Sequence, residues 1–331
     1  MLSVLESLPT GLLDLEATEL YRILSGSTLI HLTGRIDSPL FVSVLLHGNE
    51  VTSWVALRKL LIKYQSQELP RSLSIFIGNV QAARYGQRQL QDQPDYNRIW
   101  LRGDSPEQQM TQQVIEAMRS RRCFASVDIH NNTGRNPHYA CVNRLDRQFL
   151  HLARLFNPTI VYFTTPNTVQ STAFADFCPS VTLECGQTGN LAGIEHAFNY
   201  LETCLNLADL PTTPLSEINL FHTVAITKVP QKFSFSFDGN DADIRFPSDL
   251  DRLNFCELPI DTALCLVNPE SNANLEAWDE QGQNVADRFF RIADGKILTT
   301  TPVMPSMLTL NAEIIRQDCL CYLMERLQAP D

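Results

Sequence analysis

No stretch of this 331-residue sequence approaches the roughly 20 consecutive apolar residues that a helix needs to cross a bilayer, so membrane-spanning helices are excluded. Basic residues are few: 26 Lys and Arg stand against 37 Asp and Glu, a formal net charge of −11, and no basic cluster stands out. Gripping a phosphate backbone needs a basic footprint, so neither nucleic acid nor a membrane is expected as a partner. Nine cysteines are present, but the count is odd and no C-x-x-C pair occurs. That usage suits buried reduced thiols in a reducing compartment rather than a disulfide framework. Cys319 and Cys321 flank Leu320 and would share one strand face, where core packing is expected rather than metal binding. Low-complexity tracts and internal repeats are absent. The opening MLSVLESLPTGLLDLEATEL has acids where a signal peptide carries basic residues, so it reads as the start of a folded unit in a cytoplasmic protein.

What remains is an ordinary globular composition, 44% hydrophobic, in a chain long enough for one large or two unequal domains. Apolar runs at Phe41–Leu46, Ser74–Ile77, Phe124–Ile129, Ile160–Phe163 and Ser180–Leu183 suit strands covered on both faces. Helical stretches lie between them. Over Val51–Tyr64, Val51, Trp54, Leu57, Leu61 and Tyr64 form one apolar stripe. Ser105, Pro106 and Gln108 make a capping box with proline at the first helical position, ahead of a Met110, Val114, Met118 seam. Asn190–Leu207 is a third helix. This alternation predicts an α/β domain with a mostly parallel, mixed sheet flanked by helices, over residues 1–212.

The pattern changes near Pro211-Thr212-Thr213-Pro214. Strand-like runs follow at Thr223–Val229, Lys232–Phe237, Ala263–Val267, Arg288–Ile292, Lys296–Thr300 and Met307–Leu310, with turns at Asp238-Gly239-Asn240 and Ala293-Asp294-Gly295. Residues 213–331 are therefore expected to form a smaller, β-rich C-terminal domain, placed near the active-site cleft.

Three polar punctuations follow apolar strands: His47-Gly48-Asn49-Glu50, His130-Asn131-Asn132-Thr133-Gly134 and Glu184-Cys185-Gly186. Ligands gather at the carboxyl ends of strands in open parallel sheets, so residues far apart in sequence can meet there. Two imidazoles and one carboxylate would leave a tetrahedral zinc one open position, the arrangement of a catalytic site. A lone strand-end histidine is usually just hydrogen-bonded, and H-x-x-E occurs often by chance. Three coincident sites are harder to dismiss.

The segments LLHGNEVTSW, DYNRIW, DIHNNTG and TLECGQ resemble, in order and spacing, the aspartoacylase and succinylglutamate desuccinylase family, a branch of the zinc carboxypeptidase-like hydrolases. The resemblance covers most of the first 200 residues. It continues more weakly through FHTVAITK, Asn254-Phe255 and GKIL, which look like that family's C-terminal β-domain. It implies one zinc ion per chain held by His47, Glu50 and His130, with Glu184 as general base. Asp128 lies two residues before His130 on the same strand face, where it either orients an imidazole or makes a purely structural bond. Asn97 and Arg98 match the Asn-Arg pair that grips a substrate carboxylate, a task suited to a planar guanidinium. Arg88 resembles the arginine that polarises the scissile carbonyl, although QLQDQPDYN is about two residues longer than usual, which leaves Arg84 as a competitor.

Where aspartoacylases carry a further arginine for the second carboxylate of aspartate, this sequence has Phe174, which disfavours N-acetylaspartate. Arg135 is the candidate for a different substrate anchor, with a solvated loop arginine as the plainer reading. His138 shares that loop, and His31, His151, His196 and His222 have no motif context. The resemblance thus implies a zinc-dependent amidohydrolase acting on a small carboxylate-bearing substrate of the N-acyl amino acid type. Two alternatives stand beside it: a metallocarboxypeptidase acting on a peptide or cell-wall fragment, and a non-catalytic zinc-binding scaffold. A homo-oligomer is as compatible with the sequence as a monomer.

Overall fold

Short buried strands alternating with helices build a mixed α/β sheet in the computed structural model, which describes residues 2–213, 215 and 217–328. Pro214, within the expected boundary segment, lies outside the described residues. The chain divides into two compact units. The first takes in the chain up to Asn131 and His138–Asn219. The second comprises Leu220–Gln328 together with Asn132–Pro137, a short segment that immediately follows Asn131. Among the described residues, no helix is long and apolar enough to cross a membrane.

The first unit contains β1 (Ser3–Leu5), β2 (Thr28–Leu32), β3 (Gly34–Val44), β4 (Leu69–Ile77), β5 (Ala125–Asn132), β6 (Tyr139–Val142), β7 (Thr159–Tyr162) and β8 (Ser180–Gln187). Its strand order is β1-β2-β4-β3-β5-β8-β6-β7. β3 runs parallel to β4 and β5, with Ser43 directly opposite Asp128, whereas β6 and β8 are antiparallel, with Tyr139 opposite Glu184. The helices are α1 (Thr52–Lys63), α2 (Val80–Arg84), α3 (Pro106–Ser120), α4 (Arg147–Phe156), α5 (Gln170–Phe174) and α6 (Leu191–Asn206). α1 buries Trp54, Leu57, Leu60 and Leu61, which places its apolar stripe inward. α3 starts on the capping box expected of Ser105 and Gln108. α1 and α6 are joined by Lys59–Glu195 at 2.5 Å and by a Lys63–Glu202 pair, with Lys59 Nζ 4.5 Å from the Phe198 ring.

The second unit contains β9 (Asn219–Lys228), β10 (Phe235–Ser236), β11 (Ile244–Arg245), β12 (Ala263–Val267), β13 (Glu276–Trp278), α7 (Ala286–Phe289), β14 (Phe290–Ala293), β15 (Lys296–Thr299), β16 (Met304–Ser306), α8 (Ala312–Gln317) and β17 (Cys321–Leu327). β10-β11-β12-β15-β14 form one sheet, and β17 pairs antiparallel with both β9 and β16. Its core gathers Ile244, Phe246, Phe289, Ile297 and Leu323. Cys319 and Cys321 are buried, and burial pushes the Cys321 thiol up to about 12.

Three expectations in this unit need correction. Only Phe235–Ser236 of Lys232–Phe237 is extended in a sheet. Arg288 belongs to the helical turn α7, and its strand begins at Phe290. Met307–Leu310 is not a strand. Met307 adopts φ 62°, and side chains take its ladder positions: Asn136 Oδ1 accepts Met307 N at 2.9 Å, and Asn254 Oδ1 accepts Leu308 N at 2.8 Å.

Candidate metal centre

β3 is buried from Leu40 to Val44 and apolar there except for Ser43, and it ends in a backbone arrangement that aims His47 and Glu50. Leu45 takes φ 55°, a left-handed conformation that costs a branched residue energy and recurs at functional sites. Ser53, in the first turn of α1, pins the bend: its hydroxyl donates to Glu50 O at 2.9 Å and accepts from Leu45 N at 3.2 Å. Gly48 is required by close approach, since a Cβ there would lie 2.2 Å from Ala83 N. Its own amide donates to Arg88 O at 3.1 Å. The H-x-x-E loop is thereby clamped between α1 and the segment carrying Arg88.

His130, near the end of β5, meets this loop. His47 Nδ1 lies 2.8 Å from Glu50 Oε1, and His130 Nδ1 lies 2.8 Å from Glu50 Oε2. The donor atoms of the three buried residues fall within 4.8 Å of one another. The far nitrogens are held from behind. His47 Nε2 is 3.0 Å from Asp95 Oδ1, and His130 Nε2 is 2.8 Å from Asp128 Oδ2. An ionised carboxylate only accepts, so each Nε2 carries the proton and donates it. In the neutral imidazoles both Nδ1 lone pairs would face the lone pairs of Glu50, a repulsion that either a proton or a bound cation between them removes. This donor set fits zinc: two nitrogens and a carboxylate, each imidazole oriented by an outer acid.

The electrostatics report the same demand. Burial works against the Glu50 carboxylate, but His47 and His130 outweigh it and hold its pKa far below the usual range. Burial likewise opposes charge on His130, yet Asp128 and Glu50 raise its pKa well above that of a free imidazole. Partial burial also opposes charge on Asp95, but His47, Arg88 and Arg98 outweigh it, so its pKa is strongly depressed.

Glu184 lies near the end of β8, the strand next to β5, and is buried. Asn131 ties the two strand ends: its amide N–H reaches Glu50 Oε2 at 3.1 Å, and its Nδ2 donates to Gly186 O at 2.9 Å. Gly186 has φ 73° and leaves room for the His138 ring. Burial raises the Cys185 thiol, and the charges of Glu184 and then Glu50 raise it further, so both carboxylates act on the same neighbourhood.

Arg88 reaches the cluster in spite of its longer loop. Its Nη2 donates to Asp95 Oδ2 at 2.8 Å, and its Nη1 is 3.9 Å from Glu50 Oε1. Arg84 instead stacks over Tyr21, with Cζ 4.2 Å from the ring. Asn97 is buried, and its Nδ2 lies 3.2 Å from His130 Nε2, a contact of two donors once Nε2–H is given to Asp128. Gln170 N occupies its Oδ1 at 3.1 Å, so Asn97 turns its N–H groups toward the histidine side. Arg98, half-buried, donates from Nη1 to Asn97 O at 3.0 Å. Arg135 lies in the second unit, 59% exposed, with Nε 3.5 Å from Asp251 Oδ2.

Phe174 is a core residue, contrary to the expectation that it faces substrate. It is fully buried, stacked on Phe41 with centroids 4.4 Å apart and set edge-on to Trp100 at 6.0 Å. The N-terminal residue of α5, Gln170, touches Asn97, but Phe174 points into the apolar layer with Met110 and Val114. The other histidines have local partners. His31 Nδ1 is 2.8 Å from Ser74 Oγ, His138 and His196 pair through Nδ1 at 2.9 Å, and His222 pairs with Glu280 at 2.8 Å. Asp95 is the site residue that sequence reasoning missed. Its only signal is a carboxylate two residues before Asn97 in DYNRIW.

Comparison with known proteins gives the family and the fold. The chain matches the family described as succinylglutamate desuccinylase/aspartoacylase catalytic domain over residues 39–209, just over half its length. No curated protein matches it. Among solved structures, succinylglutamate desuccinylase from Chromobacterium violaceum is 15% identical with a TM-score of 0.58, covering 89% of this chain and 87% of that one. The product-bound ectoine utilization protein from Ruegeria pomeroyi is 14% identical, TM-score 0.59, covering 89% and 88%. Murine aminoacylase 3 is 13% identical, TM-score 0.59, covering 89% and 97%. At these identities the structural likeness speaks for the fold, while the family match runs from Pro39, inside β3, past the end of α6. The chain belongs to the succinylglutamate desuccinylase/aspartoacylase family of hydrolases.

Proposed function

We propose that this protein is a zinc-dependent hydrolase that cleaves the amide bond of a small, carboxylate-bearing substrate of the N-acyl amino acid type. The observation that carries the reading is the convergence of His47 Nδ1, Glu50 and His130 Nδ1, with each Nε2 held by an acid. The names of the similar structures, a desuccinylase and an aminoacylase, point the same way. The catalytic α/β domain corresponds to the first unit, close to the expected residues 1–212, and the second unit is a β-rich accessory domain. The setting is cytoplasmic, in keeping with nine unpaired thiols, eight of them buried.

His47, Glu50 and His130 would hold the zinc, which when bound would supply Lewis acidity for water activation and carbonyl polarisation. Glu184 takes a proton from the attacking water and returns it to the leaving nitrogen. Arg88, held by Asp95 beside Glu50, directs N–H groups at the carbonyl oxygen as negative charge develops there. Arg98 and the N–H groups of Asn97 hold the substrate carboxylate and orient the amide for attack. Asp128 and Asp95 keep both imidazoles in the ligating tautomer. Arg135, exposed and set against Asp251, stays the candidate for a further substrate anchor.

The test is hydrolysis of a panel of acylated amino acids and short peptides by wild type and Glu184→Gln. The variant should keep its zinc and lose several orders of magnitude in kcat. Turnover near the wild-type rate refutes the role of Glu184. Zinc binding without turnover of any panel member refutes the hydrolase reading at this site.

A further inference from the structure

We propose that Ser43 is a positioning residue for the metal centre, acting through Asp128 to fix the orientation and donor strength of His130. The inference rests on the reading of His130 as a zinc ligand. Ser43 lies in the middle of the apolar run FVSVLL and is fully buried. It sits directly opposite Asp128 in the parallel β3–β5 pairing, so both side chains leave the sheet on one face. Its hydroxyl donates to Asp128 Oδ1 at 2.6 Å, a length typical of a charge-assisted bond. Asp128 Oδ2 then accepts from His130 Nε2 at 2.8 Å.

The two outer acids differ in their surroundings. Asp95 is partly exposed and shares its charge with Arg88 at 2.8 Å, and its Oδ1 also accepts Asn97 N at 2.7 Å. Asp128 is fully buried, and its side-chain partners are Ser43 and His130. A buried carboxylate with only two side-chain partners leans on each hydrogen bond it receives. Ser43 therefore does two things. It satisfies the oxygen that would otherwise be orphaned, and it stops the carboxylate from rotating, leaving Oδ2 alone to hold the imidazole. With Nε2–H fixed on Asp128, His130 Nδ1 keeps its lone pair on the point shared with His47 and Glu50.

The experiment is competitive zinc titration of the full chain against a chromogenic chelator. It compares wild type, Ser43→Ala, Ser43→Thr, Ser126→Ala and His130→Ala. Ser126 is the control: it is equally buried on the same face of β5, but its hydroxyl is bonded to Gln170 Nε2 at 2.7 Å. Ser43→Ala is expected to weaken zinc binding about 10- to 100-fold, the usual cost of losing an outer partner. Ser43→Thr keeps the hydroxyl and should recover most of that loss, and Ser126→Ala should remain near wild type. A second readout needs no metal. In protein carrying 15N-labelled histidine, the His130 Nε2–H resonance should shift in Ser43→Ala and stay in place in Ser126→Ala.

If His130→Ala binds zinc like wild type, the metal reading itself falls and takes this inference with it. Suppose instead that His130→Ala loses zinc. Then the role of Ser43 alone is overturned by any of three results: Ser43→Ala within about twofold of wild type with an unmoved resonance, Ser126→Ala weakened equally, or Ser43→Thr as weak as Ser43→Ala.

Discussion

Replacing Asp95 with alanine should weaken zinc binding by at least about 10- to 150-fold and lower kcat/KM by a larger factor. Asp95 holds two groups at once, His47 Nε2 at 3.0 Å and Arg88 Nη2 at 2.8 Å. A hydrogen bond to a charged group is worth about 1.5–3 kcal/mol, so losing the hold on His47 alone corresponds to roughly 10- to 150-fold in affinity. Arg88 adds to the loss. Its Nη1 already lies 3.9 Å from Glu50 Oε1, and at an effective dielectric near 20 that pair attracts by about 4 kcal/mol. Without Asp95 the guanidinium turns further toward Glu50 and competes with zinc for its carboxylate. Catalysis suffers beyond the zinc deficit, because Arg88 no longer aims at the substrate carbonyl. Zinc affinity is read by chelator competition, and kcat/KM is then measured at saturating zinc to isolate the second effect. Zinc affinity within twofold of wild type, with unchanged kcat/KM, would refute the argument that Asp95 supports both arms.

Three further outcomes follow from the same geometry. The raised pKa of His130 means its proton is held in the metal-free protein at neutral pH and must leave for zinc to bind. Calorimetry in buffers of different ionisation enthalpy should therefore show about one proton released per zinc at pH 7, with affinity rising as pH increases until that pKa is passed; no proton release contradicts this. Phe174→Arg should destabilise the fold by about 3 kcal/mol or more and create no dicarboxylate site, because it opens the Phe41–Trp100 cluster to a buried charge. A stable variant that gains N-acetylaspartate cleavage would show that the ring borders the substrate. Arg98→Ala should raise KM for every carboxylate-bearing substrate alike, and a loss confined to one substrate would argue against the clamp.

Long periodic segments were legible from residue order, because one burial pattern determines both their existence and their type. α1, α3 and α6 follow from stripes and caps, and β3, β5 and β8 from apolar runs between polar turns. The strands β1, β2 and β6 were not legible. β1 is three residues long, β2 carries a buried histidine satisfied by Ser74, and β6 is only the four residues Tyr139–Val142. In the second unit, side-chain acceptors from Asn136 and Asn254 replaced a strand ladder that local propensity favours at Met307–Leu310. The three candidate ligands were readable because each ends a strand in a polar turn. Their supports were less so. Asp95 lies in a loop whose carboxylate has meaning only once His47 is beside it, and Ser43 looks like a tolerated small residue in a strand. The faint signal for Ser43 is polarity: a serine inside FVSVLL and an aspartate inside FASVDI both break apolar runs, and the parallel register sets them face to face. Phe174 shows the opposite failure, since a position matched by spacing belonged to a helix that turns its side chain into the core.

The central claim is that His47, Glu50 and His130 hold one catalytic zinc. Its most direct test is elemental analysis of protein purified without added metal, run beside a His47→Ala, His130→Ala double variant with matched thermal unfolding curves. About one zinc per wild-type chain and essentially none in the folded double variant is the predicted result. Stoichiometric zinc retained by the double variant would contradict the assignment.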